Sequence, residues 1–145
     1  MNKIIPFLWF DGKAEEAAKY YVAIFKNSKI VVANPMTVSF QLEGQPFYAL
    51  NGGPQYKFTP AISLFVNCET QAEVDDLWSK LSAGGRIDQC GWLQDKYGLS
   101  WQIIPTALGR MLRDKDPAKA KRVMDAMLKM QKIDIAALQR AYDGK

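Results

Sequence analysis

The sequence contains no histidine among its 145 residues. This absence excludes Ser-His and Cys-His catalytic pairs, and it removes the side chain that transition metals most often use as a ligand. Any acid-base chemistry would therefore have to rest on a carboxylate or on an activated thiol.

Cysteine is scarce, since Cys68 and Cys90 are the only two. They lack the short paired spacing of zinc sites, and nearby acids such as Asp88 and Asp95 add no metal-binding pattern. Without a recognisable secretion signal, two cysteines are more often reduced thiols than a disulfide. We predict two buried or partly buried free thiols and no redox motif.

Long apolar runs are also missing. The N-terminal run Ile4–Phe10 meets Asp11 and Gly12 too early for a signal peptide, and no later stretch is long enough to span a bilayer. With 48% hydrophobic residues, a chain of this length suits one compact domain with a packed core. These features predict a cytoplasmic protein with no membrane partner.

The positive charge is concentrated at one end of the chain. Residues 106–145 carry ten Lys and Arg against five Asp and Glu, whereas residues 1–105 carry nine against ten. The basic residues are spread around amphipathic segments with no aromatic side chains between them, which is typical of a solvated helix face. We predict no nucleic-acid partner; binding of DNA or RNA by this basic tail is a weaker hypothesis.

The first half of the chain has the pattern of a βαβββ module. Apolar spacing and turn residues predict, in order, a strand at Ile4–Phe10, a helix at Lys13–Lys26 and strands at Lys29–Ala33, Thr37–Glu43 and Pro46–Asn51.

The second half repeats that order. The predicted elements are a strand at Ala61–Asn67, a helix that begins after Thr70 and stops at Gly84-Gly85, and strands at Arg86–Cys90, Trp92–Lys96 and Leu99–Ile104. Thr70 and Glu73 have the spacing of a capping box. A shift of 56 positions places apolar residues of the first half on apolar residues of the second, such as Leu8 on Leu64. We infer an internal duplication.

The remainder, residues 106–145, matches neither half and shows three helical segments. They begin near Thr106, Asp116 and Asp134, each beside a residue typical of a helix start. Methionines form a stripe on the middle segment; such a stripe is usually core, but it could also cover a sheet edge or contact a second subunit. The predicted single domain therefore contains modules at 1–54 and 61–105 and helices at 106–145.

Several segments resemble the PhnB-like branch of the glyoxalase/bleomycin resistance/dioxygenase superfamily, also called the vicinal oxygen chelate superfamily. The segments that carry this resemblance are Pro6–Ala17 with Tyr20, Tyr21 and Phe25, Asn51–Pro54, Ser63–Cys68, Asp95–Pro105 and the tail Thr106–Tyr142.

The resemblance implies an α+β fold in which two βαβββ modules form curved mixed sheets around a cavity, and it implies a homodimer. In metal-dependent members the first and fourth strands of each module supply the ligands, mostly histidine and glutamate. Here three of those strands contain no histidine, carboxylate or thiol, and Gln102 stands where metal-binding relatives carry glutamate. We therefore predict no metal and no cofactor.

Strand alternation indicates which side chains could line such a cavity. If Gln102 faces inward, Ser100 and Ile104 share its face, while Trp101 and Ile103 lie under a helix. The same reasoning places Ile62, Leu64 and Val66 under the helix. The predicted lining is mainly aromatic with a few polar groups, and it consists of Phe7, Trp9, Asn51, Ser63, Phe65, Ser100 and Gln102. Ordinary packing is the alternative explanation for each of these residues.

Two functions are compatible with this pattern. The first is a metal-free protein that binds a small organic molecule, as drug-sequestering members of the superfamily do. The second is a glyoxalase-like enzyme of unknown reaction. Relatives often carry the name 3-demethylubiquinone-9 3-methyltransferase, but no glycine-rich loop follows a strand and opens a helix as a nucleotide-like cofactor would favour.

Overall fold

A computed structural model describes residues 2–145. The chain divides into two compact units, one ending at Phe58 and the other comprising Thr59–Lys145.

The first unit is a βαβββ module. Its elements are β1 (Phe7–Phe10), α1 (Ala14–Ile24), β2 (Lys29–Ala33), β3 (Thr37–Leu42) and β4 (Gln45–Asn51). The four strands form one sheet in the order β1-β4-β3-β2, in which β1 is parallel to β4 and the other neighbours are antiparallel.

Alternation along the strands determines which face of this sheet is covered. The apolar residues of β1, β3 and β4 are buried on one face, and α1 contributes its own buried stripe at helical spacing. The buried residues are Leu8, Phe10, Ala14, Ala17, Ala18, Tyr21, Phe25, Val38, Phe40, Leu42, Phe47 and Ala49. The acidic residues Glu15 and Glu16 lie on the exposed side of α1, as the helical spacing predicts.

The second unit repeats this architecture. It contains β5 (Ser63–Cys68), α2 (Gln71–Ser82), β6 (Arg86–Ile87), β7 (Trp92–Gln94) and β8 (Ser100–Pro105). The strand order is β5-β8-β7-β6, with β5 parallel to β8. The α+β class and the two βαβββ modules are thus confirmed. Thr70 caps α2 as predicted, because its hydroxyl accepts from the Glu73 N–H at 3.1 Å.

The first strand of each module differs from the prediction, at the start of β1 and at both ends of β5. β1 begins at Phe7, since Ile4 is 89% exposed and joins no sheet. β5 begins at Ser63, so Ile62, 63% exposed, does not lie under the helix as we expected. Cys68 is the last residue of β5 and not beyond it.

The predicted strands Arg86–Cys90 and Trp92–Lys96 are too long. Cys90 and Gly91 have φ of 59° and 85°, which no regular strand adopts, so β6 ends at Ile87. The N–H groups of Cys90 and Gly91 donate instead to the carbonyls of Met130 and Gln131 in the tail. β7 ends at Gln94 because Asp95 begins the turn to β8.

The tail forms α3 (Thr106–Leu112), α4 (Pro117–Met127) and α5 (Ile135–Tyr142). Asp116 and Asp134 cap α4 and α5 with their carboxylates, as predicted. The longest helix of the protein, α2, has 12 residues. None within residues 2–145 combines the length and apolar character needed to cross a membrane.

The tail helices are part of the core of the second unit. Ile104 of β8 packs in a buried cluster with Leu108, Val123, Ile133 and Leu138, and the methionines Met111, Met127 and Met130 pack around that cluster. The Gln71 side chain of α2 donates to the Ile133 carbonyl and accepts from the Ile135 N–H. The sequence predicts that the methionine stripe either packs in the core or covers another surface. Met127 packs against the core cluster, whereas Met124 is 39% exposed.

Candidate functional site

Each sheet has a distal face, meaning the face turned away from α1 or α2. Because paired residues of neighbouring strands point to the same side, the register identifies the members of each face. In the first unit Phe7 pairs with Tyr48, Tyr48 with Ser39 and Trp9 with Leu50. In the second unit Ser63 pairs with Ser100 and Phe65 with Gln102.

The first distal face contains a groove of about 280 Å³ lined by Phe7, Val32, Thr37, Val38, Ser39 and Tyr48. The rings of Phe7 and Tyr48 meet edge to face, with centroids 6.0 Å apart, and are 57% and 39% exposed. No charged residue lines this groove.

Of these lining residues the sequence prediction included only Phe7. Val32, Thr37, Val38 and Ser39 lie on β2 and β3, which are not the strands from which relatives take metal ligands, whereas Tyr48 lies on the fourth strand and was missed there. The signal for Thr37 and Ser39 is present in β3, where these two polar residues alternate with the buried Val38 and Phe40.

Trp9 lies on the predicted face but is held by packing. Its indole N–H donates to the Gly53 carbonyl at 2.9 Å, and its ring lies against Tyr56 with centroids 4.9 Å apart. The ring also covers Gly52 so closely that a Cβ at that position would stand 2.3 Å from Trp9 Cζ2. Gly52 and Gly53 therefore seat the indole, and Trp9 is not among the residues that line the groove.

Asn51 does not join the predicted lining. It pairs with Phe10, on the face covered by α1. Its side-chain oxygen accepts from the Ala14 N–H at 2.8 Å, and its amide donates to the Pro35 carbonyl at 3.0 Å. Since Lys13 at the start of α1 makes no side-chain cap, Asn51 supplies the cap from β4.

The second distal face brings together the other predicted residues. Gln102 donates to the Ser63 hydroxyl at 3.0 Å. Phe65, beside Gln102 in the register, is 54% exposed. Ile104, which we expected on the same cavity face, is buried instead in the cluster with the tail helices.

Ser100 is the unusual member of this face. It is 1% exposed, and its hydroxyl oxygen is buried without a hydrogen-bond partner among residues 2–145. It belongs to a polar row that crosses the sheet and contains Ser63, Ser100, Gln94 and Arg86, each paired with the next. Since buried polar groups are nearly always paired in proteins, this hydroxyl calls for an explanation.

Asp95 is a buried polar residue whose role the sequence prediction missed. Its carboxylate accepts from the backbone N–H groups of Tyr97 and Leu99 at 2.8 and 3.1 Å and from the Trp101 indole at 2.9 Å. The available signal was an aspartate two residues before Tyr97-Gly98, a pair typical of a tight turn between two strands. Its role is to hold the β7–β8 hairpin.

The strands that would supply metal ligands do not fit a divalent cation. On the distal faces of β1, β4, β5 and β8 the side chains are aromatic, aliphatic, hydroxyl or amide, and none is anionic: Phe7, Trp9, Tyr48, Leu50, Ser63, Phe65, Asn67, Ser100, Gln102 and Ile104. Hard divalent cations such as Ca²⁺ bind tightly through carboxylates, and zinc binds through imidazoles, thiolates or carboxylates. Within residues 2–145 there is also no cluster of three or more His, Cys, Asp or Glu suited to a metal.

The two thiols are free, as predicted. Burial, aided by the nearby Glu73 and Glu69 carboxylates, raises the pKa of the Cys68 thiol to about 12. Cys68 therefore carries its proton at neutral pH and is not the activated thiol that nucleophilic catalysis needs. Cys90 is partly buried.

A family described as 3-demethylubiquinone-9 3-methyltransferase matches residues 2–104. The match ends before α3, so the likeness that we expected for the tail is not part of it. No curated protein matches the chain.

Several solved structures are similar to this chain in fold. A Bacillus cereus PhnB protein, named as a 3-demethylubiquinone-9 3-methyltransferase, is 38% identical with a TM-score of 0.67; the similarity covers 72% of this chain and 99% of that one. The PA1353 protein of Pseudomonas aeruginosa is 18% identical over 72% of this chain and 98% of its own, with a TM-score of 0.60. A fosfomycin resistance protein of Listeria monocytogenes, in complex with Mn(II) and sulfate, is 13% identical over 69% and 86%, with a TM-score of 0.52.

Proposed function

Because the chain belongs to the 3-demethylubiquinone-9 3-methyltransferase-like (PhnB) family and has a glyoxalase-like fold, we propose that it is a metal-free protein that binds a small organic molecule. The observation that carries this proposal is the groove on the first distal face. Its volume of about 280 Å³ is close to the lower end of the range for ligand pockets, roughly 300 Å³.

The lining of this groove favours a flat, neutral ligand. The exposed rings of Phe7 and Tyr48 offer aromatic surface, and Thr37 and Ser39 add hydroxyls that can orient a polar substituent. Because the lining holds no charged side chain, a charged ligand would lose its hydration without gaining an ion pair there.

The binding is proposed to be independent of metal because the distal faces offer only neutral donors. Methyl transfer, which the family description names, gains no support from the loops. Gly52-Gly53 follows β4 but seats the Trp9 indole and leads into Pro54, whereas a nucleotide-like cofactor favours a glycine-rich turn that opens a helix. The alternative of a glyoxalase-like enzyme would need a reacting group that none of the residues above supplies in an activated form.

The proposal keeps Ser63, Phe65, Ser100 and Gln102 as separate candidate contacts on the second distal face. Trp9 is kept as a residue that supports the first distal face. A homodimer is proposed from the resemblance, and the cytoplasmic location expected from the sequence is kept as part of the proposal. Light scattering on the purified chain tests its mass, since a dimer would have twice the 16.4 kDa of the chain.

Titration with 2-naphthol tests the groove. This probe is planar and neutral, carries one hydroxyl and fluoresces. We expect binding with a Kd of about 1 mM or tighter, as its small number of atoms allows. Val32→Asp places a charge in the groove and should weaken binding at least tenfold, by roughly 1.4 kcal/mol.

Val31→Asp is the matched control. Val31 is the adjacent residue on the same edge strand and is 52% exposed, close to the 58% of Val32, but it does not line the groove. It should bind 2-naphthol as the unchanged protein does. Equal loss in both variants would contradict the groove, and binding of 2-naphthol that requires stoichiometric Mn²⁺ or Zn²⁺ would contradict metal independence.

A further inference from the structure

The polar row of the second distal face, together with the neighbouring Gln102 of the same face, has unused hydrogen-bonding capacity. The Ser100 hydroxyl has neither donated nor accepted a hydrogen bond within residues 2–145. The Ser63 oxygen accepts from Gln102, which leaves its own proton available, and the carbonyl oxygen of the Gln102 amide is also available. Two hydroxyl donors and one amide acceptor therefore lie on neighbouring strands.

The burial of the Ser100 hydroxyl argues against a purely structural role. An unpaired buried hydroxyl costs stability, and an alanine there would avoid that cost with almost the same shape. Residues that cost stability without a structural return are expected at functional sites. Ser63 is paired with Ser100 across the sheet, and Gln102 is the next residue of β8 on the same face. Both are half-buried, so the face becomes partly accessible next to the buried hydroxyl.

The charges around this row favour a neutral group. Arg86 is the one cation of the row, and its guanidinium is already paired with Asp88 at 3.1 and 3.3 Å. A carboxylate would therefore find hydroxyl donors but no unpaired cation, while a carbonyl beside an N–H would match the hydroxyls and the Gln102 carbonyl together. The exposed ring of Phe65, next to Gln102 in the register, provides an aromatic surface adjoining these groups.

We propose that Ser63, Ser100 and Gln102 form a subsite for a neutral carboxamide or lactam on an aromatic ligand, with the ring against Phe65. The hydroxyls of Ser63 and Ser100 donate to the ligand carbonyl, and the Gln102 carbonyl accepts from the ligand N–H. This assignment rests on the proposed small-molecule binding but names a different sheet and a specific chemistry.

Benzamide is the test probe, and benzoate is its charged isostere. Two-dimensional ¹H–¹⁵N NMR titration should move the amide signals of β5 and β8, with benzoate binding at least tenfold more weakly. In Ser100→Ala the Kd for benzamide should rise about fivefold, the loss expected for one neutral hydrogen bond. The melting temperature of the free Ser100→Ala protein should stay the same or rise. Ser100→Thr, which keeps the hydroxyl, should retain part of the affinity.

Ser79→Ala is the matched control, since Ser79 is an exposed serine of α2 and belongs to neither distal face. It should leave the benzamide Kd unchanged. Signal shifts confined to β1, β3 and β4 and weakened by Ser39→Ala would overturn the subsite while leaving the groove intact. Benzoate binding as tightly as benzamide would also overturn it. So would a lower melting temperature of Ser100→Ala with an unchanged Kd. If Ser100→Ala fails to fold, Ser63→Ala takes its place, with the same fivefold loss expected and an unchanged Kd again overturning the assignment.

Discussion

The two βαβββ units share one strand order, yet their distal faces differ in chemistry. The first carries the aromatic groove around Phe7 and Tyr48. The second carries a polar row with a buried, unpaired Ser100 hydroxyl. The residues under the helices are apolar in both units. The two units therefore share the apolar positions that build their cores and differ on the faces that do not pack on the helix.

The units also differ in how their turns are held. In the second, the chain leaves α2 through Gly84-Gly85 and the last hairpin is held by the buried Asp95. In the first, the position 56 residues before Gly85 is Lys29, and the corresponding hairpin turns at the exposed Glu43-Gly44. At these two positions the second unit has Gly85 and Asp95, whereas the first has Lys29 and Glu43, and substitutions can test what this difference contributes to stability.

Gly85→Ala should have the largest effect. A Cβ at this position would stand 2.1 Å from the Gln94 carbonyl oxygen and 2.7 Å from the Asp95 carbonyl carbon, both in the backbone, so a strand must shift. We expect a loss of about 3 kcal/mol or more in the free energy of unfolding, measured by urea denaturation.

Two controls accompany Gly85→Ala. Lys29→Ala, at the corresponding position of the first unit, should change stability by less than about 0.5 kcal/mol. Gly84→Ala meets no contact under 3.4 Å but must adopt a φ of +75°, so it should cost about 1 kcal/mol. A Gly85→Ala protein as stable as the Gly84→Ala protein would contradict the close approach.

The sequence predicted the elements because their signals are local. Apolar alternation, helical spacing and the caps at Thr70, Asp116 and Asp134 identified every helix and most strands. The prediction failed where distant contacts decide. The strand after α2 stops at Ile87 because the tail bonds to Cys90 and Gly91, which lie about forty residues from Met130 and Gln131, and local patterns do not report such pairing.

The candidate site was also predicted only in part, because strand alternation is a local signal and the contacts between distant residues are not. Strand alternation placed Ser63, Phe65, Ser100 and Gln102 on one face, where the register puts them. Asn51 was assigned to the lining, although its side chain caps α1 across the sequence. Tyr48 and Ser39 were missed because a groove depends on which strands are neighbours, and that order is set by tertiary packing and not by composition.

Asp95→Ala should have the second largest effect. It leaves the Trp101 indole N–H and two backbone N–H groups without their acceptor in a buried hairpin. Because hydrogen bonds to charged groups contribute about 1.5–3 kcal/mol and some of the freed donors will find water, we expect a loss of roughly 3 kcal/mol. Urea denaturation measures the loss, and hydrogen exchange should localise it to β7 and β8.

Glu43→Ala is the control for Asp95→Ala, because Glu43 lies at the corresponding hairpin of the first unit but is exposed. It should change the unfolding free energy by less than about 0.5 kcal/mol. If both variants lost the same stability, the two hairpins would be held alike and the proposed difference between the units would be wrong.

The smallest effect concerns the tail, which only the second unit has. The Tyr142 hydroxyl donates to the Asp114 carboxylate, and the bond joins α5 to the residues after α3. This bond lowers the pKa of Asp114 below 3.8 and raises the pKa of Tyr142 above 10.0, in each case chiefly through the hydrogen bond itself. The stability that ionised Asp114 contributes to the folded protein is present above pH 3.8 and is lost as the pH falls through its lowered pKa. The stability that the protonated Tyr142 hydroxyl contributes is present below pH 10.0 and is lost as the pH rises through its raised pKa.

Tyr142→Phe removes this hydroxyl but keeps the ring over which Lys119 lies at 5.0 Å. The melting temperature of the unchanged protein should exceed that of the variant by a small, constant amount between pH 5 and pH 9, roughly one unit inside each reference pKa, and the two should converge toward both extremes. Asp75, whose pKa is lowered by Gln71 and Lys132, titrates equally in both proteins and cancels in the difference. A difference that persisted unchanged at pH 2 would show that the ring environment, and not the hydrogen bond, anchors α5.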